Sequence, residues 1–407
     1  MSSRLLAGRL LAGRLFIGAL PCLLAACQTA PPGASPEATR FGHLPGWSTD
    51  KLSEAMPAFR LSCQRLTRFG PETNLGGMPD GTGVLAAGTI AGTWAPVCAA
   101  AAIVPDGDDM AAHAFFEKHL EAHAMSYGEG GRALFTGYYE PEVAGSRQRG
   151  GVYQTPLYRR PGNLVQAATG PDPRGLRLGQ RARPTSRGAA RGAPRVIPIP
   201  DRAGIVRGAL NGRGLELAWL ADPVDAFFIQ IQGSGRVILP DGAMMRVGYA
   251  GTNGRPYVAV GKVLMDRGEM EREQVSMQSI RAWLKAHPGQ ADAVMNANPS
   301  YVFFREVEDV SPDQGAVGAL GVPLTPMRSL AVDRTFIALG VPIYISTTDP
   351  VDGKPIRRLV MAQDTGGAIK GPVRGDIFFG WGKDAEERAG LMKGSGAAWV
   401  LLPRLQP

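Results

Sequence analysis

From residue 133 to the C-terminus the apolar residues come in short runs, closed by glycine, proline or aspartate. A helix needs its 3.6-residue period sustained over ten or so positions, whereas a strand needs only a brief run between turn formers, so this punctuation selects strands. With 54 Gly and 33 Pro in 407 residues the interruption runs through the whole chain and disfavours a helical bundle or coiled coil. The runs at 226–231, 236–239, 244–249, 257–264, 301–307, 330–333, 341–346, 358–363, 376–379 and 397–402 read as strands. Helical spacing marks 50–68, 108–126, 273–286, 290–297 and 384–392, the last with Asp384 and Glu387 placed as a capping box. Many short strands predict a mainly β fold of small closed barrels in preference to a doubly wound sheet. A hydrophobic content of 44% against 20% charged supplies a core and excludes global disorder, and the length allows two or three domains.

The first 27 residues are an address. Arg4, Arg9 and Arg14, with no acid among them, lead into an apolar stretch at 15–24 that is too short to span a membrane comfortably. Leu24-Ala25-Ala26-Cys27 closes it and resembles the bacterial lipoprotein signal, in which Cys27 becomes the first mature residue and is acylated. An ordinary signal cleaved near the same place is the alternative. Several acyl chains on one residue anchor a soluble body without a spanning helix, and Gln28 in place of Asp fits an outer-membrane destination in such lipoproteins. The expected location is the periplasmic face of the outer membrane of a Gram-negative bacterium, held to its lipid through Cys27. Residues 28–44 then form a tether, rich in Pro, Ala and Gly up to residue 38. In that oxidising compartment the pair Cys63 and Cys98 reads as a disulfide, with free buried thiols as the alternative.

The formal charge of +8 is unevenly placed. Loss of Arg4, Arg9 and Arg14 leaves +5, and 145–215, with fourteen Arg against Asp172 and Asp201, carries +12, so the remainder is acidic at about −7. A basic, loop-rich arm on an acidic body is a poor case for a nucleic-acid partner and suits a segment that meets an acidic wall polymer or membrane surface.

The common catalytic devices are missing. Gly233-Ser234-Gly235 lacks the outer glycine frame of a nucleophile elbow, and five His leave few candidates for a triad. His119 and His123 stand at i, i+4, but Leu120-Glu121-Ala122 does not put Glu beside the first His as a zinc protease needs, so exposed helix polar residues are the favoured reading and no metal is expected. No phosphate loop or dinucleotide fingerprint appears, and no cofactor is expected. What remains is Asp333, Asp364 and Asp376, each at the end or head of an apolar run. A carboxyl walled by apolar neighbours keeps its proton near neutrality, which a general acid needs, while a neighbour in a polar turn stays ionised. A turn former or loop cap is the alternative reading for any one of them.

Asp333, Asp364 and Asp376, in Ala-Val-Asp-Arg-Thr-Phe-Ile-Ala-Leu-Gly, Gln-Asp-Thr-Gly-Gly-Ala-Ile-Lys-Gly and Gly-Asp-Ile-Phe-Phe-Gly, resemble the three-aspartate module of the membrane-bound lytic murein transglycosylase A family. The likeness continues upstream in family order through Thr136-Gly137-Tyr138-Tyr139-Glu140-Pro141, Tyr153-Gln154-Thr155-Pro156-Leu157-Tyr158, the stretch Phe228 to Gly235, Gly261-Lys262-Val263-Leu264 and Asn298-Pro299-Ser300. It covers nearly all of 45–403.

The resemblance implies a double-psi β-barrel domain with N-terminal helices, made from 45–139 and 309–407, and a smaller β-barrel domain inserted at 140–308 that includes the Arg-rich 145–215 segment. A groove between the two would receive a glycan strand of peptidoglycan. Asp376 matches the family's catalytic acid/base and Asp364 an aspartate supporting the same site, while Thr136, Gln232, Gly233 and Ser234 fall on groove-facing positions. Asp333 matches a structural aspartate, and Glu140 stays a candidate second carboxylate. The implied reaction is lytic cleavage of the β-1,4 bond between N-acetylmuramic acid and N-acetylglucosamine, without metal or cofactor, alongside wall-synthesis complex proteins. Two rivals stand: a hydrolase in which Asp364 or Glu140 activates water, and a non-catalytic peptidoglycan-binding lipoprotein.

Overall fold

The computed structural model describes residues 38–77, 88–125, 132–162, 164–168, 176–181 and 196–404. Cys27, the signal and the tether up to residue 37 lie outside these residues, as do 169–175 and 182–195 of the Arg-rich segment. The chain opens with β1 (Ala38–Thr39), α1 (Met56–Leu66), α2 (Ala95–Ala102), α3 (Asp109–His119), β2 (Leu120–Met125) and β3 (Ala133–Glu140). A middle section follows with β4 (Glu142–Ser146), β5 (Thr155–Tyr158), β6 (Leu164–Ala168), β7 (Leu176–Arg181), β8 (Val196–Pro198) and β9 (Glu216–Leu220), then α4 (Pro223–Gln232), β10 (Ser234–Ile238) and β11 (Met244–Thr252). It ends with α5 (Val260–Asp266), α6 (Met277–Ala286), α7 (Pro288–Asn296) and β12 (Val302–Glu306). The last section is β13 (Ser329–Val332), β14 (Pro342–Thr348), β15 (Pro355–Asp364), β16 (Arg374–Trp381), α8 (Gly382–Leu391) and β17 (Lys393–Pro403).

The first and last sections share one sheet in the order β1-β2-β17-β14-β15-β13-β16-β3, and a further β17–β3 pairing closes its last six strands into a barrel. Two neighbour pairs, β13–β15 and β16–β3, are parallel. In β15 the run Leu359 to Gln363 is buried without alternation. Such a strand is covered on both faces. One face fills the barrel, and α1 lies on the other, where Gln363 Nε2 donates to Ala58 O at 2.8 Å. A disulfide between Cys63 of α1 and Cys98 of α2 ties the two helices, with Cα atoms 5.3 Å apart. Arg328, just before β13, is buried and donates to both carboxylate oxygens of Asp50, fastening the N-terminal segment to the barrel.

The middle section forms a second sheet, β12-β11-β10-β4-β9-β5, and a separate antiparallel β6-β7-β8 within the stretch expected to be loop-rich. The fold is mainly β, as expected. Five local expectations fail. The expected tether does not run to residue 44: β1 pairs with β2, and Phe41 and Leu44 are buried in the core with α1. Residues 226–231 are helical, in α4: the Asp222 side chain caps Val224 N, Pro223 takes the first turn, and Gly233 ends the helix at φ 80°. The run is apolar all round because Ala226 and Ile229 enter the core of the second sheet while Val224, Phe227 and Phe228 pack with residues of α5, α6 and α7. Residues 257–264 hold no strand and lead into α5. At 108–126 the helix stops at His119 and the chain continues as β2, which pairs with β17, so His119 and His123 sit on different elements. Among the described residues no group of three or more His, Cys, Asp or Glu could hold a metal ion. The capping box at 384–387 is not formed: Trp381 caps α8 without a side-chain bond, and Asp384 accepts instead from Arg388 at 3.2 Å.

Candidate active site

A cavity of ≈ 700 Å³ lies where the C-terminal end of β15, β16 and β3 of the barrel meet the α4–β10 turn and the 298–305 segment. Asp376 and Asp364 both line it, as do Gln232, Gly233 and Ser234. Asp376 stands in β16 beside Thr136 of β3 in the parallel register. The Thr136 hydroxyl donates to Asp376 Oδ1. Between Thr136 and Tyr138, Gly137 admits α8, since a Cβ there would lie 2.7 Å from Ala389 Cα.

The two carboxyls have different surroundings. Asp364 accepts from Tyr138 Oη at 3.0 Å and from the amides of Ala319 and Thr365, both at 2.9 Å. Burial nonetheless pushes its carboxyl up to about 6 against those three bonds, with the Asp376 charge adding to the rise. Among the described residues Asp376 accepts from Thr136 alone, and burial raises it above the usual carboxylate range against that bond and the Arg374 charge. Tyr138 is buried, and its hydroxyl is held well above the usual tyrosine range by burial, by Asp364 and by Asp376. Two carboxyls and a phenol therefore share one poorly solvated pocket, the arrangement that keeps a proton available at neutral pH.

Gln232 ends α4 with Oε1 accepting from Tyr139 N at 3.1 Å, which ties the helix to β3. Asp333 lies apart from the cavity lining. Burial raises its carboxyl, but the amides of Gly371 and Thr335 outweigh it and hold the group below its ordinary value. It pins the turn after β13 to Gly371 at 2.9 Å. Glu140 is fully buried outside the cavity lining, accepting from Arg236 Nε at 3.0 Å and facing Arg246 Nε at 3.0 Å. Its place between two guanidiniums removes it as a base for water. Sequence reasoning missed Tyr138, Tyr257 and Arg374. The first two line the cavity, and Tyr257 is one of two exposed tyrosines, with Tyr249, on its wall.

A closed mixed barrel, a second β sheet inserted between two of its strands and a cleft holding paired raised carboxyls define a two-part, mainly β carboxylate-site protein. Residues 134–305 match the profile described as the MltA specific insert domain, and 328–402 match the 3D domain. A membrane-bound lytic murein transglycosylase A from Escherichia coli (strain K12) is 35% identical over 278 residues, 67% of this chain and 66% of that protein. The crystal structure of a membrane-bound lytic murein transglycosylase from Agrobacterium tumefaciens is 36% identical with TM-score 0.77, covering 91% of this chain and 98% of that one. That of E. coli MltA with bound chitohexaose is 28% identical with TM-score 0.62, over 92% and 93%. The chain belongs to the membrane-bound lytic murein transglycosylase A family.

Proposed function

We propose that the protein cleaves the β-1,4 bond between N-acetylmuramic acid and N-acetylglucosamine in peptidoglycan and leaves 1,6-anhydro-muramic ends. The observation that carries the reading is the unequal pair in the cavity, with Asp364 bonded by three donors and Asp376 by one. Asp364 is engaged by hydrogen bonds on both carboxylate oxygens, whereas Asp376 is engaged on Oδ1 and keeps Oδ2 to face the glycosidic oxygen. The chitohexaose held by the E. coli relative, a chain of β-1,4-linked sugars, supports a glycan in the equivalent groove.

Asp376 protonates the glycosidic oxygen as the C1–O bond breaks. As carboxylate it then takes the proton of the C6 hydroxyl of the same muramic ring while that oxygen attacks C1. The nucleophile is tethered to its electrophile, with effective molarities on the order of 10⁵ M or more, so water is not recruited. Asp364 and the Gln232–Ser234 turn face the oxocarbenium-like centre, the first as anion and the second as dipole. Water-using glycosidases need a second carboxylate placed for water or nucleophilic attack. The burial of Glu140 leaves only Asp364 for that rival role.

On the same reading, 45–139 with 309–407 make the barrel domain and 140–308 the inserted domain, Cys27 anchors the enzyme at the outer membrane, and wall-synthesis proteins are its neighbours. Murein incubated with the form lacking residues 1–27 tests the reaction. Asp376→Asn is expected to lose about 10²–10⁴-fold in rate. Undiminished turnover in that variant sinks the assignment.

A further inference from the structure

Arg374 opens β16 two residues before Asp376, so both side chains leave the same face of the strand. Its guanidinium is half-buried. One arm donates to Gly375 O at 2.6 Å and reaches Leu134 O at 3.4 Å, and the other donates to Thr136 Oγ1 at 2.7 Å. Thr136 in turn donates to Asp376 Oδ1. A hydroxyl has one proton to give. Because Arg374 occupies the Thr136 oxygen as a donor, that proton is committed to Asp376 Oδ1, and the acid proton of Asp376 is left to Oδ2.

We propose that Arg374 is a positioning residue for the proton transfer, acting through Thr136 to fix which oxygen of Asp376 carries the transferable proton. The proton on Oδ2 leaves to the glycosidic oxygen as C1–O breaks, and the C6 hydroxyl proton returns to Oδ2 as C6–O closes on C1. During the interval the Asp376 carboxylate is stabilised by the Thr136 hydrogen bond and the Arg374 charge. A hydroxyl free to rotate would instead offer its proton to either oxygen or turn away, and each rotation spoils the attack geometry. The other groups that face Asp376 are Tyr138 of β3, Asp364 at the end of β15 and Tyr257 before α5. Lys393 of β17 stands opposite Thr136 in register but is exposed.

The test is a double-mutant cycle on the purified protein with murein glycan as substrate. Arg374→Gln is expected to lower kcat by about 10- to 100-fold with KM within about twofold, the scale of a small misplacement of a reacting group. It is also expected to move the alkaline limb of the kcat profile to higher pH, because a charge that holds Asp376 down is gone. In a Thr136→Ser background the same penalty persists, whereas in Thr136→Val it collapses to within about twofold, since the relay is already cut. Arg374→Lys, which keeps the charge with a single head, is expected to recover part of the loss, and carries the same comparison if Arg374→Gln does not fold. An equal penalty in the Ser and Val backgrounds, or a change in KM alone, overturns the proposal and makes Arg374 a prop for the β16 backbone. The proposal rests on Asp376 as the acid. Full activity in Asp376→Asn removes that underlying reading, while an inactive Asp376→Asn with an additive cycle removes the Arg374 role alone.

Discussion

Replacing Glu140 by Gln should unfasten the inserted section from the barrel and leave the chemistry intact. Glu140 ends β3, and its side chain is 0% exposed between Arg236 of β10 and Arg246 of β11, themselves 5% and 3% exposed. The Arg236 contact is a hydrogen bond at 3.0 Å, and the Arg246 contact is an ion pair at 3.0 Å whose angle is poor for one. Both guanidiniums also donate to Gln314 O, at 3.1 and 2.8 Å, and Arg236 stacks 4.0 Å from the Trp381 ring. Gln keeps the volume and one acceptor but removes the buried counter-charge that the two cations share. Removing one partner of a buried ion pair costs about 3–5 kcal/mol, and the retained acceptor argues for the lower end, about 3 kcal/mol. Urea unfolding followed by tryptophan fluorescence measures the loss. Changing all three residues together to Met or Leu should recover most of it, because the desolvation penalty disappears with the charges. Activity per folded molecule is expected to stay within a few-fold. A loss below about 1 kcal/mol combined with a 100-fold fall in turnover would refute this reasoning and return Glu140 to the list of catalytic carboxylates.

Three further outcomes follow from the same structure. Asp364 titrates near 6 when folded and near 3.8 in its ordinary state, so between those values the unfolded chain releases its proton first and stability falls as pH rises. Asp364→Asn should therefore raise the unfolding free energy at pH 7–8 by on the order of 2 kcal/mol allowing for partial exposure, with the gain gone below roughly pH 4; a pH-independent effect contradicts the burial of the charge. Cys63→Ser with Cys98→Ser opens a loop of sequence separation 35 and should cost about 3–4 kcal/mol in denaturant unfolding, with no cost expected only if the thiols are unpaired. Arg→Ala changes across 174–195 should weaken murein binding at low salt and matter little above about 0.5 M, since salt of that strength screens attraction between charges; salt-insensitive binding would count against an electrostatic role for the basic segment.

The barrel strands were legible because burial on both faces leaves a continuous apolar run, and β13 to β17 fall within a few residues of the runs read from 330, 341, 358, 376 and 397. The same logic failed at 226–231, where a helix packed between two cores shows the same unbroken apolar run. The correcting signals were local: Asp222 and Pro223 as a cap and first turn, and Gly233 as a left-handed stop. The break at His119 had no such signal. It is set by pairing with β17, which lies far along the chain, and no window around 119 contains it. Within the cavity, Asp364 and Asp376 could be named from their motifs, but the hydroxyl that touches Asp376 comes from Thr136, 240 positions away, through the parallel register of β3 and β16. Arg374 had no motif to announce it, because its partner is created by that register. Glu140 beside Arg236 and Arg246 is a buried triad built the same way.

In the mechanism proposed above, a single aspartate lets the muramic ring attack itself. Digestion of murein in heavy-oxygen water, followed by mass spectrometry of the released muropeptides, tests it most directly. Self-attack by the muramic ring gives ends lighter by one water than hydrolysis products, with no heavy oxygen incorporated, and these ends are expected to disappear in Asp376→Asn. Reducing muramic ends that carry the heavy oxygen would contradict it and make Asp364 the activator of a water.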